Sequence, residues 1–260
     1  MSNPVIECLL NHRSVRKYKK KPLEPDKLEL ILRAGTRAAT AGNLQLYSFI
    51  VVDDDEKKKE LDRAWEARPV SLADAAVVII ALVDQYRVKR WLRLHSDREI
   101  HNNRPINFFL GIWDALIALQ NIVVAAESMG LGTCYVGSIL EMNIQEILKT
   151  PEHVFPAGMV CIGYPNEWPA FSMRLPLEAV VHKNIYVLPS DNEINEWYKE
   201  RDAVWDTVAD TLKERLKEQN IFGIAQALAI QRYSEEAVEK RSKGILDNLR
   251  RSEFDLSDKD

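Results

Sequence analysis

The sequence predicts an α+β fold: one mixed domain over residues 1–190, followed by a helical C-terminal extension over 191–260. Three observations carry this. Short apolar runs rich in β-branched and aromatic residues recur at 46–54, 75–84, 132–137 and 157–163, as buried strands do. Between them lie helical patterns, among them a 108–129 segment that is apolar nearly all round. Past Pro189 the strand-like runs stop and charged amphipathic helix takes over, roughly at 191–219 and 234–251.

The elements follow in order. Val5 to Leu10 makes a short first helix, and the basic stretch "NHRSVRKYKKK" follows it at 11–21. Pro25 sits just inside the start of a second helix that carries Leu28, Ile31 and Leu32 on one face. "LYSFIVVDD" is a strand, 55–67 a charged helix, and "AAVVIIALVD" a strand covered on both faces. Residues 85–107 are polar and Arg-rich, and read as a surface excursion that could serve as a lid. The long helix then closes at Gly130, in the C′ position. Asp114, Gln120, Asn121 and Glu127 interrupt its apolar pattern, which argues for a core or interface helix and against a membrane span. After the strand "GTCYVG", Ser138 and Glu141 form an S-x-x-E capping box for a helix over 139–149. "AGMVCIG" is a buried strand, and "EAVVHKNIYVL" (178–188) a last extended segment.

Composition narrows function. With 46% hydrophobic and 28% charged residues and a net charge of −4, the 260-residue chain has a soluble globular profile and lacks the basic balance of a nucleic-acid binder. No charged-then-apolar leader opens it, so the expected compartment is the cytoplasm. Cys8, Cys134 and Cys161 are scattered and odd in number, which suits free thiols in a reducing environment. The five histidines show no metal-ligand spacing, so no metal is expected. P-loop and nucleophile-elbow motifs are absent, and "GLGTCYVG" follows a helix and precedes a strand, the reverse of the dinucleotide-binding order.

Three polar islands remain. In "HRSVR", an extended backbone would present Arg13 and Arg16 on one side, guanidinium forks suited to phosphate, with the Ser14 hydroxyl beside them; a solvated charge run is the alternative. "TAGNLQ" (40–45) offers the amides of Asn43 and Gln45 to a heterocycle edge, or is a plain turn. "MRLP" carries Arg174, which on pattern alone reads as a surface arginine.

These islands occur in one order with "GNLQLYSFIVV", "DALIALQNIVVAAESMGLGTCYVGSI", "VCIGYP" and "RLPLEAVVHKNIY". Order and wording resemble the FMN-dependent nitroreductase superfamily, and within it the oxygen-insensitive NAD(P)H nitroreductase and flavin reductase group. The resemblance implies a central, mostly antiparallel sheet flanked by helices, in an intertwined homodimer with one FMN in each of two interface clefts. It implies that the 108–129 helix is a main dimer helix, and that His12, Arg13, Ser14 and Arg16 hold the FMN phosphate, ribityl chain and pyrimidine edge. Thr40, Ala41 and Asn43 would reach the same flavin from the neighbouring subunit, with Gln45 close by. Tyr135, Val136, Gly137 and Ser138 would lie under the ring, the Gly137 backbone near the flavin N5, and Arg174 would return to the phosphate. Tyr198 and Arg201, in "WYKER", resemble a segment that meets the NADPH end.

No side chain need then be a nucleophile: NAD(P)H would reduce the flavin and leave, and a nitroaromatic, quinone or free flavin would take the hydride, in a ping-pong cycle. A specialised relative of reductive dehalogenase or flavin-cleaving type, and a flavin-binding protein without turnover, are the alternatives. Three departures stand out: Ser172 replaces a lysine, a glutamine is lost near Pro69, and "AATAGN" replaces a Pro/Ser-rich version. Residues 223–260 have no counterpart, and could pack on the core or on a partner subunit.

Overall fold

The four apolar runs form one sheet. In the computed structural model, which describes residues 3–65 and 70–256, β1 (Tyr47–Val52), β2 (Val77–Asp84), β3 (Gly132–Val136) and β4 (Val154–Gly163) stand in the order β1-β2-β4-β3. Every neighbouring pair is antiparallel. All of β4 is buried, and so is β2 apart from Asp84, because both faces of the sheet are covered. The period-2 alternation of a strand divides β2 between two cores. Val77, Ile79, Ala81 and Val83 meet Ala115, Ala118, Leu119 and Ile122 of helix α5 (Pro105–Ser128). Val78, Ile80 and Leu82 meet Leu61 of α3 (Asp55–Ala64) and Ile144 of α6 (Ile144–Leu148). Pro156 is tolerated in β4 because β3 pairs only with Met159–Gly163 and the β2 ladder slips at Ala81/Leu82.

Helix α5 behaves as its sequence predicts. Gly130 takes φ +74° after the C-cap Met129, the Gly130 N–H donates to Glu127 O (3.0 Å) and the Leu131 N–H to Ala126 O (3.2 Å), which completes a Schellman ending. Among the described residues it is the one helix long and apolar enough to cross a membrane, and 44% of its most apolar stretch is buried within the fold. Its other face leaves Ile106, Phe109, Trp113 and Ile117 exposed at helical spacing.

The remaining helices of this part are α1 (Pro4–Leu10), α2 (Pro25–Gly35) and α4 (Tyr86–His95). The chain continues through α7 (Asp191–Asp202), α8 (Asp210–Lys217), α9 (Ile224–Gln231) and α10 (Glu235–Arg251). It divides into two compact units: Met1–Ala170 with Ser242–Asp260, and Phe171–Arg241. The composition shift at Pro189 therefore lies inside the second unit. In the first, Leu249 and Phe254 join the α5 core and the buried Asn248 amide donates to Leu140 O (2.7 Å) and Met142 O (3.1 Å).

Three expectations are corrected. Ser138 caps no helix: it lies inside a 3-10 turn, Gly137–Glu141, and its Oγ accepts from the Trp65 indole N–H (2.8 Å), a buried donor that needs a partner. Burying both Ile139 and Ile144 then requires the break between the turn and α6. Helix α4 lies inside the polar 85–107 stretch and none of its residues is buried, in keeping with the surface excursion read from the sequence. Among the described residues of 178–188 no strand forms; a 3-10 turn at Leu177–Ala179 is followed by irregular backbone. The single helix expected over 191–219 is α7, a 3-10 turn at Ala203–Thr207, and α8. The departure near Pro69 lies outside the described residues.

The basic stretch is not wholly solvated. Tyr18 is buried and its hydroxyl donates to Val15 O (2.7 Å), while Lys19 and Lys20 remain exposed. Further on, Glu24 accepts from the Tyr164 hydroxyl and pairs with Lys21 (3.1 Å) and Lys27 (3.3 Å). The Tyr164 bond above all, then a backbone bond and Lys21, holds the Glu24 carboxyl down at about 2 against an ordinary 4.5. A depressed carboxyl stabilises the fold above its unfolded pKa, and this is lost as pH falls through the folded one. Glu24→Gln is therefore expected to remove part of the acid dependence: the stability gap between wild type and variant should close as pH falls from 4.5 to about 2. Urea melts across that range measure it, and a pH-independent gap would contradict it.

Candidate active site

Residues 12–16 run beside the free edge of β3. Ser14 bridges Thr133 in parallel, and the Val15 N–H donates to Thr133 O (2.8 Å). Gly132 permits this approach: a Cβ there would stand 2.6 Å from Val15 Cβ and 2.7 Å from both its methyls. Val15 is buried and anchors the segment.

The flanking side chains find different partners. His12 Nδ1 lies 2.8 Å from Glu127 Oε1, which also accepts from the Thr133 hydroxyl; the Glu127 side chain is only 10% exposed. Arg13 lies over the Trp168 ring (5.1 Å) and donates to Pro169 O (3.3 Å). Arg16 is exposed and donates to Ser14 O (3.2 Å). The two guanidinium groups thus do not share one side as expected. Positions three apart on an extended chain point to opposite faces.

At the end of β3, Tyr135 is partly exposed and bonds Gln120 Oε1 (3.1 Å). Burial, and then the Glu127 charge, pushes its phenol well above the usual range, so it stays a donor. Val136 is buried in the opposite core. Gly137 is exposed, and a Cβ there would meet nothing within 4 Å, so open space adjoins its backbone. As the first residue of a 3-10 turn it also carries an N–H that the turn itself does not use.

The second island lies before β1, at the other edge of the sheet. Residues Ala41–Asn43 form a 3-10 turn in which Gly42 and Asn43 both have φ +56°; Gln45 has φ +54°. The left-handed region costs a non-glycine residue about 1 kcal/mol, least for Asn, so the loop needs support. Asp114 of α5 supplies it: its buried carboxylate accepts from the Ala41 N–H (2.9 Å) and the Leu46 N–H (3.2 Å). Thr40 Oγ1 accepts from the Gln45 N–H (2.8 Å), and Arg87 donates to Gln45 O (3.0 Å) and Tyr47 O (2.7 Å). The Gln45 amide donates to Asn43 O (3.1 Å), while the loop itself stays largely exposed.

Arg174, Tyr198 and Arg201 belong to the second unit. Arg174 is exposed and donates to Ser172 O and Met173 O, and Tyr198 and Arg201 lie one turn apart on α7, both exposed.

Several residues that build the site escaped the sequence reading. Asp114 and Glu127 stood there only as interruptions of an apolar helix. That is itself the signal, since a carboxylate on a core helix needs donors. Trp65, Trp168 and Arg87 carried no such mark.

The geometry defines a mixed α+β protein with two polar segments at opposite edges of an antiparallel sheet, carrying Arg, His, Ser and backbone donors. Comparison with known proteins agrees. The Nitroreductase family model matches residues 9–164. FMN reductase (NADPH) from Bacillus subtilis (strain 168) is 31% identical over 233 residues, covering 82% of this chain and 93% of the relative. The solved structure of B. megaterium NfrA2 superposes with a TM-score of 0.82 at 27% identity, covering 99% of this chain and 100% of that one. NADPH:FMN oxidoreductase from Vibrio harveyi, complexed with NAD+, superposes with a TM-score of 0.75 at 26% identity, over 94% and 98% of the two chains. The chain belongs to the nitroreductase family.

Proposed function

We propose that this protein is an NAD(P)H-dependent FMN oxidoreductase that works as a homodimer and reduces small electron-poor acceptors such as nitroaromatics, quinones or free flavin. One observation carries the reading. Residues 12–16 and 40–45 flank opposite edges of a four-stranded sheet, roughly 19 Å apart at about 4.8 Å per strand. If both islands serve one flavin, as the family resemblance implies, two chains must supply them. The exposed apolar face of α5 gives those chains a surface to share.

The donor set fits FMN. Arg16 and Ser14, two positions apart on the extended segment, would take the phosphate, while Arg13 is turned to the other side over Trp168. His12, oriented through Nδ1 by Glu127, keeps Nε2 for the cofactor. The open space at Gly137 leaves its backbone accessible to a planar ring, above the Tyr135–Ser138 segment. From the other chain, Thr40, Ala41, Asn43 and Gln45 would close the cleft, with Asp114 fixing their backbone. Arg174 would add a cation to the phosphate, and Tyr198 and Arg201 would meet the nicotinamide donor. Bound FMN would supply the redox chemistry, accepting hydride from NAD(P)H and passing it on in a second half-reaction. Three free cysteines suit a cytoplasmic setting.

The test is anaerobic: the purified protein should be yellow and dimeric, and stoichiometric NADPH or NADH should bleach it, with colour returning on addition of a quinone or nitroaromatic. A yellow protein that neither nicotinamide bleaches would leave flavin binding standing and overturn the enzyme.

A further inference from the structure

Helix α4 carries a second concentration of cations that the proposed flavin site does not use. At about 100° per residue, Tyr86, Lys89, Arg90 and Arg93 fall within an arc of about 100° on one face. Arg87 lies to one side of them and is committed to the backbone of residues 45–47. The shared face lines a cavity of about 310 Å³, completed by His153, Glu253, Asn102 and Asn103. That volume lies at the lower end of the roughly 300–1,000 Å³ typical of small-molecule sites.

The cavity joins a bonded frame to unbonded charge. Gln85, buried, donates its amide to Asn107 O, and Ser252, buried, donates to Asn248 O (2.6 Å). Phe254 packs edge-on against Phe108 at 5.2 Å. Tyr86 stacks on His153 with ring centroids 4.8 Å apart and planes 26° apart, and Tyr86 remains exposed.

Against this frame, Lys89, Arg90 and Arg93 have no ion pair or side-chain hydrogen bond among the described residues. The contrast with α3 is direct: there Lys57, Lys58 and Lys59 pair with Glu60, Asp55 and Glu56. Helix α4 has no acidic residue at all, and Lys89/Arg93 and Arg90/Arg93 repel at i,i+4 and i,i+3 spacing. Among the described residues, Glu253 is the one carboxylate lining the cavity, and it pairs with none of the three. Three clustered cations, one opposing carboxylate and an accessible aromatic stack describe a site for a planar group joined to a polyanion.

We propose that this cavity binds a nucleotide phosphate. The phosphate spans Lys89, Arg90 and Arg93, and the base extends the Tyr86–His153 stack. The inference does not depend on the flavin reading, since none of these residues belongs to it.

Calorimetric titration of the protein as purified, at low salt, with AMP, adenosine and inorganic phosphate tests it. AMP is expected to bind saturably and at least tenfold more tightly than either fragment. Arg90→Ala with Arg93→Ala should weaken AMP at least tenfold, and Arg90→Lys with Arg93→Lys should fall between. Tyr86→Leu should bring AMP down to the level of phosphate. These side chains are exposed or half-buried, and thermal melts matching wild type verify that each variant folds. No saturable AMP binding at millimolar concentration, or equal binding by wild type and the double alanine variant, overturns the site. Phosphate binding as tightly as AMP overturns the nucleotide assignment.

Discussion

Asp114→Ala is expected to destabilise the protein by about 3–5 kcal/mol, the largest effect of any single change at the two polar segments. The carboxylate is buried on a core helix and accepts from two backbone amides, those of Ala41 and Leu46. Charge-assisted bonds contribute about 1.5–3 kcal/mol each, and alanine would leave both donors buried or force the loop to open to water. Asp114→Asn keeps one acceptor but points an N–H₂ at the second amide, so it should fall between wild type and alanine. Since Gly42, Asn43 and Gln45 already hold left-handed backbone, the loop has little reserve once that anchor goes. Flavin retention should therefore fall along with stability. Urea denaturation gives the first quantity and flavin absorbance after gel filtration the second. A loss below about 1 kcal/mol would show that the loop does not rely on Asp114.

Arg16→Ala should do the reverse, costing cofactor and sparing the fold. Its guanidinium is exposed and bonds only Ser14 O among the described residues, so stability should change by no more than about 0.5 kcal/mol. Loss of one charge-assisted phosphate contact, at about 1.5–3 kcal/mol, corresponds to a fall in FMN affinity of roughly 10- to 150-fold. Arg16→Lys keeps the charge and loses the fork, and should recover part of it. Fluorescence titration of apoprotein with FMN reads the difference; unchanged affinity would remove Arg16 from the phosphate site.

How much of this was legible before folding depended on whether the signal was local. The strands announced themselves because β2 and β4 are buried on both faces and so run apolar without a break. The end of α5 was legible because a Schellman ending needs a residue at positive φ, and Gly130 stands there. The capping box at Ser138 failed for the opposite reason: the hydroxyl is claimed by Trp65, 73 positions away, and no local pattern reports that. The extended reading of 178–188 failed because β propensity without a partner strand makes no ladder. Of the candidate site, the donor types were visible in "HRSVR" and "TAGNLQ". What was not visible was that Val15 takes the inward position and turns Arg13 and Arg16 apart, or that Asp114 and Glu127 reach out of the long helix to hold one island each.

The central claim is that two chains assemble one flavin site from opposite sheet edges. The crystal structure of the FMN-loaded protein tests it most directly. The predicted result places the phosphate within hydrogen-bonding distance of Ser14 and Arg16 of one chain, the ring over Gly137, and residues 40–45 of the second chain against the same flavin. A flavin held by residues of one chain alone, or bound away from the 12–16 segment, would contradict it.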